Sequence, residues 1–290
     1  MTLSVLIPTY NFNARALVLS LVKQANIESI DAEVVVGDDA STQETAWMNE
    51  VASQPGVRII HADHNLGRAY ICNLMAREAQ GKWLLFVDAD AVVPKEFTFT
   101  KSLKAGFEAP VVCGGLYHPD VNPNPEATLR YRYERNADRH RSALVRSQHP
   151  HRQLSTFNLL VRRDIFLNIL FDERCTEYGY EDALFGVQLG NKGIPIAHID
   201  NPLVHMGLDT NAEFLQKTET AMRTLQRISH IMPRDAGVVG AARCLSRWHL
   251  TWAMRLFYKV FRKPIQANLL SHHPSLFLFK LYKLGYFLSL

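Results

Sequence analysis

Short apolar runs that alternate with helical patterns, each run ending in a polar loop, constrain this 290-residue chain more than any other feature. Leu3–Pro8, Glu33–Val36, Val57–Ile60 and Trp83–Val87 read as strands. Between them, Leu17, Val18, Leu21 and Val22 keep helical spacing behind a candidate cap at Asn13, and another helix spans about Leu66 to Ala79. Such alternation predicts an α/β fold with a mostly parallel, doubly wound sheet. Ligands of these sheets bind beyond the C-terminal strand ends. Asp38-Asp39 and Asp88-Ala89-Asp90 fall at two of those ends.

Two carboxylates separated by one small residue, delivered by a strand to its own end, suit a hard divalent cation. Mg²⁺ or Mn²⁺ commonly keeps coordination positions for substrate phosphates. The competing reading of Asp88 and Asp90 is a solvated strand-to-loop junction, where Asp is common. No G-x-G-x-x-G follows the first strand and no G-x-x-x-x-G-K-[ST] occurs, which disfavours a dehydrogenase or a P-loop kinase. A diphosphate held without such a loop needs a cation or arginines to offset its charge.

Beyond Pro119 the alternation stops. Up to Gln153 the chain is Pro-rich and then Arg-rich, with Arg130, Arg132, Arg135, Arg139, Arg141, Arg146 and Arg152 interleaved with Tyr131, Tyr133 and several histidines. This stretch reads either as a solvated surface or as a mobile acceptor loop that meets phosphate. Regular patterns return at Thr156–Val161, at a short helix near Asp164–Leu170, and at a helix opening on Glu181-Asp182 and closing near Gly193. Ile194–Ile199 and Leu203–His205 read as short strands. Acidic residues at a helix start are favoured by the macrodipole and need no further role. No internal repeat is present.

The four cysteines, Cys72, Cys113, Cys175 and Cys244, form no C-x-x-C pair and read as small buried residues of a reducing compartment. The chain enters its first apolar run without a charged leader, so a cytoplasmic location is expected. Positions 236–290 hold eight Lys or Arg and no Asp or Glu, leaving 24 basic and 28 acidic residues in 1–235. A basic tail on a mildly acidic body implies an anionic partner surface. Leu245, Trp248, Trp252, Leu256 and Val260 fall on one face of a helical pattern, and Arg247, Thr251, Arg255, Lys259 and Arg262 on another. Basic amphipathic helices carrying Trp and Phe lie in membrane interfaces. The alternatives are a helical cap on the protein's own core or an oligomer contact. No nucleic-acid reading motif accompanies the basic residues, so nucleic acid is not expected as a partner.

Taken in order, Ile7-Pro8-Thr9-Tyr10-Asn11, Asp38-Asp39-Ala40-Ser41-Thr42, Asn65-Leu66-Gly67 with Asn73, and Phe86-Val87-Asp88-Ala89-Asp90 resemble the family 2 glycosyltransferases of the GT-A fold. The resemblance continues through Phe157-Asn158 and Tyr178-Gly179-Tyr180-Glu181-Asp182 to His205, covering roughly 3–220. It implies a GT-A Rossmann-like domain over 1–235, with a nucleotide-sugar half (1–91) and an acceptor half (92–235), followed by the basic helical appendage 236–290.

By the same resemblance Pro8, Thr9 and Tyr10 line the base and ribose pocket with Asp38, Gly67 and Asn73, and Asp39 accepts from a uracil-like ring N–H. Asp90 is the main ligand of Mn²⁺ or Mg²⁺; Asp88 belongs to the same metal set, nearer the ribose or a metal-bound water, with Ala89 beside it; His205 is a third ligand, although a lone His after an apolar segment also suits a structural role. The family usually carries Gly at position 40 and Arg at position 72, where this chain has Ala40 and Cys72; Arg68 is the substitute expected for the missing cation. Asp182 is the general base, kept ionised and weakened by the helix start, with Glu181 orienting it or the acceptor. Asn158 and Tyr180 contact the acceptor, although Asn158 equally suits a strand turn.

The implied activity is inverting, metal-dependent transfer of a sugar, UDP-linked by analogy, to a hydroxyl of a glycan or lipid-linked acceptor in bacterial surface-polysaccharide synthesis. The enzyme would be peripheral at the inner face of the cell membrane. Two rivals stand beside it: a sugar nucleotidyltransferase, which wants a Gly-rich, Arg-containing loop where Pro8-Thr9-Tyr10-Asn11 stands, and a non-catalytic nucleotide-sugar or membrane-binding protein.

Overall fold

The structure, a computed structural model, describes residues 2–43, 45–175, 179–233 and 237–290. Its strands are β1 (Leu3–Thr9), β2 (Ala32–Asp38), β3 (Val57–His61), β4 (Trp83–Val87), β5 (Ala91–Val92), β6 (Val111–Cys113), β7 (Leu116–Tyr117), β8 (Asn158–Arg162), β9 (Ile196–His198) and β10 (Leu203–His205). The helices of the first half are α1 (Arg15–Ile27), α2 (Ala46–Ala52), α3 (Arg68–Glu78), α4 (Phe99–Gly106), α5 (Thr128–Asp138) and α6 (Ala143–Ser147). Those of the second half are α7 (Arg163–Leu167), α8 (Glu181–Asn191), α9 (Asn211–Ile228), α10 (Gly237–Arg247), α11 (Thr251–Leu269) and α12 (Leu276–Ser289).

Two compact units emerge. The first comprises 1–118, 138–176 and 181–207; the second comprises 119–137, 177–180 and 208–290. The division expected at 235/236 does not coincide with this grouping, and both of those positions lie outside the described residues.

In the first unit a seven-stranded sheet runs in the order β3-β2-β1-β4-β8-β6-β9. Every pairing is parallel except those of β8, which lies antiparallel between β4 and β6. The unbroken apolar runs are explained by burial of the sheet on both faces. Alternate residues serve opposite layers: Leu3, Val5 and Ile7 join α1 and α2 (Trp47, Met48, Val51) in one core. Leu6, Val35, Leu84 and Phe86 join α3 and α8 (Cys72, Met75, Phe185, Leu189) in the other. The exception on β1 is Ser4, whose hydroxyl donates to Glu33 Oε1 at 2.6 Å and accepts from Gly81 N at 2.8 Å. Glu33 also takes Gln80 N and the Arg58 guanidinium, so one buried carboxylate ties three strand starts together.

A second, three-stranded sheet in the same unit has the order β5-β10-β7. Antiparallel pairing sets His205 opposite Ala91, and Met206 N donates to the Asp90 carbonyl at 3.2 Å. Parallel pairing sets Leu203 and Val204 opposite Leu116 and Tyr117, so the next step along both strands brings His118 beside His205.

The second unit is helical. Leu129 of α5 and Phe214 and Leu215 of α9 share a core with Tyr258, Ile265 and Leu269 of α11 and Phe279 and Tyr282 of α12. The positions expected to form one continuous tail face are split. His249, at φ 55, lies between α10 and α11, so Leu245 is on a different helix from Trp252, Leu256 and Val260. Those three are 65%, 53% and 59% exposed, and the core-facing side of α11 is carried by Tyr258, Ile265 and Leu269 instead. The Arg-rich segment is partly helical, with Arg130, Arg132 and Arg135 on α5 and Arg146 on α6, while Arg139, Arg141 and Arg152 lie outside these helices. Cys72, Cys113 and Cys175 are buried and Cys244, on α10, is exposed; burial pushes the Cys72 and Cys113 thiols up to about 12 and Cys175 to about 11.

Candidate active site

Three strand ends and two helix starts build the site. At the end of β1, Pro8 and Thr9 are buried, and Tyr10 just beyond it is half exposed. Thr9 Oγ1 donates to the Phe12 carbonyl, and the Thr9 carbonyl accepts from Asp39 N. Asn11 Oδ1 accepts from Thr42 N and Gln43 N, and Asn11 N donates to Ser41 Oγ at 2.7 Å, so the loops after β1 and β2 are tied together. Ala40 sits at φ 62, a left-handed backbone that explains why glycine is usual there.

The two carboxylates after β2 are buried and already engaged. Asp38 accepts from Ser41 N at 3.0 Å and meets His61 Nδ1 at 3.1 Å. Asp39 accepts from Leu66 N and Gly67 N, both at 2.9 Å. It therefore organises the Asn65-Leu66-Gly67 turn, in which Gly67 takes φ 89 and opens α3. Asn73 corrects an expectation. It is fully buried; its amide donates to the Phe171 carbonyl and Glu173, and its Oδ1 accepts from Phe171 N. No surface of it remains for a nucleotide.

Arg68, the second residue after that turn's Leu66, carries the central contact. Its guanidinium pairs with Asp88 and donates to Glu181 Oε1 at 3.3 Å. The helix opened by the Asn65-Leu66-Gly67 turn, Asp88 and the start of α8 are thus joined through one cation. Cys72, one helical turn further on, is buried.

Asp182 follows Glu181 in the first turn of α8 and accepts from Ala183 N at 2.6 Å. Burial, reinforced by the neighbouring Glu181 charge, pushes its carboxyl up to about 7 against the pull of the Ala183 amide and Arg68. This direction is opposite to the weakening expected of a helix start, because burial outweighs the pull of the Ala183 amide and Arg68. Asp182 lines a cavity of about 220 Å³ with Asn158, Arg141, Arg152, Ser155 and Phe157. Asn158 starts β8; its Nδ2 donates to the Gly115 and Asn201 carbonyls. Its buried Oδ1 has no hydrogen-bond partner among the described residues. Tyr180 takes φ 71 and groups with the second unit, and Tyr178 lies outside the described residues.

Of the three expected metal ligands, Asp90 Oδ2 and His205 Nε2 are 3.0 Å apart. Asp88 is taken by Arg68, and among the described residues no three His, Cys, Asp or Glu side chains gather as a ready cage. Gly207 makes room for Asp90, since a Cβ there would stand 2.0 Å from its Oδ2.

Sequence reasoning did not find His118 or Asp138, and named Arg146 only as one of an Arg-rich run. His118 meets His205 at 2.9 Å and Asp138 at 3.1 Å, contacts spanning 87 and 20 positions that no local spacing signals. Arg146, placed in the Arg-rich run, is a buried clamp donating to the Cys113 and Ile199 carbonyls.

The sheet order, the switch at β8 and the acidic strand ends define a glycosyltransferase of the GT-A type. Residues 4–170 match Glycosyl transferase family 2, and the chain belongs to that family. A 90-residue stretch is 39% identical to an uncharacterized glycosyltransferase of Haemophilus influenzae (strain ATCC 51907 / DSM 11121 / KW20 / Rd), covering 30% of this chain and 29% of that relative. The fold resembles S. aureus TarS 1–349 with a TM-score of 0.53 at 23% identity, over 78% of this chain and 65% of that one. It also resembles the mannosyltransferase PcManGT from Pyrobaculum calidifontis, in complex with GDP-Man and Mn²⁺, with a TM-score of 0.61 at 15% identity, over 99% and 84% of the two chains. Family membership sets aside the sugar nucleotidyltransferase.

Proposed function

We propose that the chain transfers a sugar, with inversion, from a nucleotide-sugar donor to an acceptor hydroxyl. The observation that carries this reading is the Arg68 guanidinium held between Asp88 and Glu181, next in sequence to a carboxyl raised to about 7. A base of that strength accepts a hydroxyl proton near neutral pH as the new bond forms. Arg68, on the same helical face as the residue four positions on, supplies the cation that Cys72 lacks and offers charge to a diphosphate. Pro8, Thr9, Tyr10, Asp38, Asp39, Gly67 and Ala89 then frame the nucleoside; UDP is the preferred donor nucleotide, since TarS has been solved with UDP and UDP-GlcNAc.

The acceptor hydroxyl sits in the Asp182 cavity. Asn158, with its unpartnered Oδ1, accepts a second hydroxyl there, Tyr180 flanks Glu181, and Arg141 and Arg152 favour an acceptor bearing phosphate. Asp90 and His205, an imidazole nitrogen and a carboxylate oxygen converging at a partly exposed edge, suit Mn²⁺ or Mg²⁺, which binds through few protein groups when phosphates complete its shell. A divalent cation bound there offsets charge on the departing nucleoside diphosphate.

The outward face of α11, with Trp252, Leu256 and Val260 beside Lys259 and Lys263, supports attachment to an anionic membrane surface, and with it a lipid-linked acceptor of surface-polysaccharide synthesis. No helix among the described residues is long and apolar enough to cross a membrane. Incubation of the protein with UDP-sugars and Mn²⁺ tests the reading: wild type releases UDP, Asp90→Ala and Asp182→Asn do not. UDP release unchanged in both variants would overturn it.

A further inference from the structure

A file of four side chains, its two histidines buried, runs through the first unit behind the proposed cation site. Asp138 lies 3.1 Å from His118 Nδ1, His118 Nε2 lies 2.9 Å from His205 Nδ1, and His205 Nε2 lies 3.0 Å from Asp90 Oδ2. His118 is wholly buried, and Phe157 packs against His205 with ring centroids 4.9 Å apart. Asp138 is anchored as an acceptor by His118 N and the Arg141 guanidinium. Burial pushes its carboxyl up, but the bonds from His118 and the charge of Arg141 outweigh it and hold the group ionised.

Counting protons settles what this file presents. Three contacts each need one positive bridge, and both end groups are carboxylates that only accept. With a cation on His205 Nε2 both rings are uncharged, and together they supply two protons. The Asp138 end takes the first, from His118 Nδ1, because that carboxylate is fixed by its other donors. His118 Nε2 then has only a lone pair and must accept from His205 Nδ1. His205 then turns its Nε2 lone pair to the side of Asp90, the end where the cation would sit. That end is the more accessible one, since the Asp90 side chain is 24% exposed and that of Asp138 is 11% exposed.

We infer that Asp138 and His118 are positioning residues that hold His205 as its Nδ1–H tautomer, so that Nε2 and the Asp90 carboxylate face a divalent cation as a prepared pair. The inference rests on the cation reading above. Groups behind a ligating imidazole of this kind change metal affinity by about 10- to 100-fold when removed.

Mn²⁺ alone, titrated into the full chain and followed by electron paramagnetic resonance, tests it without any turnover. Wild type is expected to bind with a nitrogen coupling to the bound ion, and His205→Ala to lose that coupling. His118→Phe keeps the bulk and removes the acceptor; it should bind about 10- to 100-fold more weakly with the coupling altered. His118→Gln, whose amide offers an oxygen to His205 and an N–H to Asp138, should recover most of the loss. A purely structural role would not give recovery by Gln alone. Should His118→Phe fail to fold, Asp138→Asn decides, because its amide N–H favours the reversed tautomers while keeping the shape. Unchanged affinity and coupling in the folded His118→Phe, or in Asp138→Asn, with His205→Ala still defective, would overturn the positioning role and leave the cation site standing. No nitrogen coupling in wild type would sink both.

Discussion

Glu181 meets the Arg68 guanidinium at 3.3 Å across 113 positions of sequence, and the same guanidinium pairs with Asp88. Arg68 is therefore a junction between two anionic strand and helix ends, and its loss leaves both carboxylates uncompensated. Arg68→Ala should lower kcat/KM for the donor by at least about 100-fold, corresponding to about 3 kcal/mol. Steady-state kinetics with a UDP-sugar would measure this. Arg68→Lys, which cannot fork between two acceptors, should recover only part of the loss.

Asp182 supplies a pH signature. Its ordinary carboxyl value is 3.8 and its folded value about 7, so the folded state holds an extra proton between these limits. The stability it contributes is present below about pH 4 and is lost as the pH rises through 7. Asp182→Asn should therefore raise stability at pH 8 by on the order of 1–3 kcal/mol, discounted for its partial exposure, and leave it unchanged at pH 4. Thermal melts at the two pH values check the sign. The same substitution should cost roughly 10²–10⁴ in kcat, and the acid limb of the wild-type rate profile should fall near pH 7.

Gly207 and Asn73 separate space from chemistry. Gly207→Ala pushes a methyl group into Asp90 Oδ2 and should weaken Mn²⁺ binding by about tenfold or more with little change in melting temperature. Asn73→Ala strips three buried hydrogen-bonding contacts and should cost about 2–3 kcal/mol of stability. Donor affinity of the folded Asn73→Ala protein, measured by calorimetry, should match wild type.

On α11, exchange of Trp252 and Leu256 for Ala removes exposed apolar surface without touching the core formed by Tyr258, Ile265 and Leu269. The double variant should lose most of its co-sedimentation with phosphatidylserine vesicles and keep its melting temperature. Retention on duplex DNA in place of vesicles would refute the membrane reading.

The strand-helix alternation was legible because β1, β2 and β4 are buried on both faces and so write nearly continuous apolar runs. The antiparallel insertion of β8 was not, since pairing direction leaves no local mark on Asn158–Arg162. The acidic ends at Asp38-Asp39 and Asp88-Asp90 stood out by spacing, but their partners did not. Asp39 is satisfied by amides 27 and 28 positions away, and Asp90 is met by an imidazole 115 positions away. In the tail, helical spacing was legible, but which residues of α11 and α12 would join the core was not. Tyr258 and Tyr282 fill the core through aromatic packing, with ring centroids 5.5 Å apart, while both tryptophans point to solvent.

The unequal exposure of the four thiols has a practical side. Three are shielded and hold their protons far above neutral pH, whereas Cys244 stands in the open on α10. A maleimide fluorophore added to the native chain should therefore attach at one position only, in the helical unit. Vesicle docking then becomes observable as an emission change, without engineering any cysteine in or out.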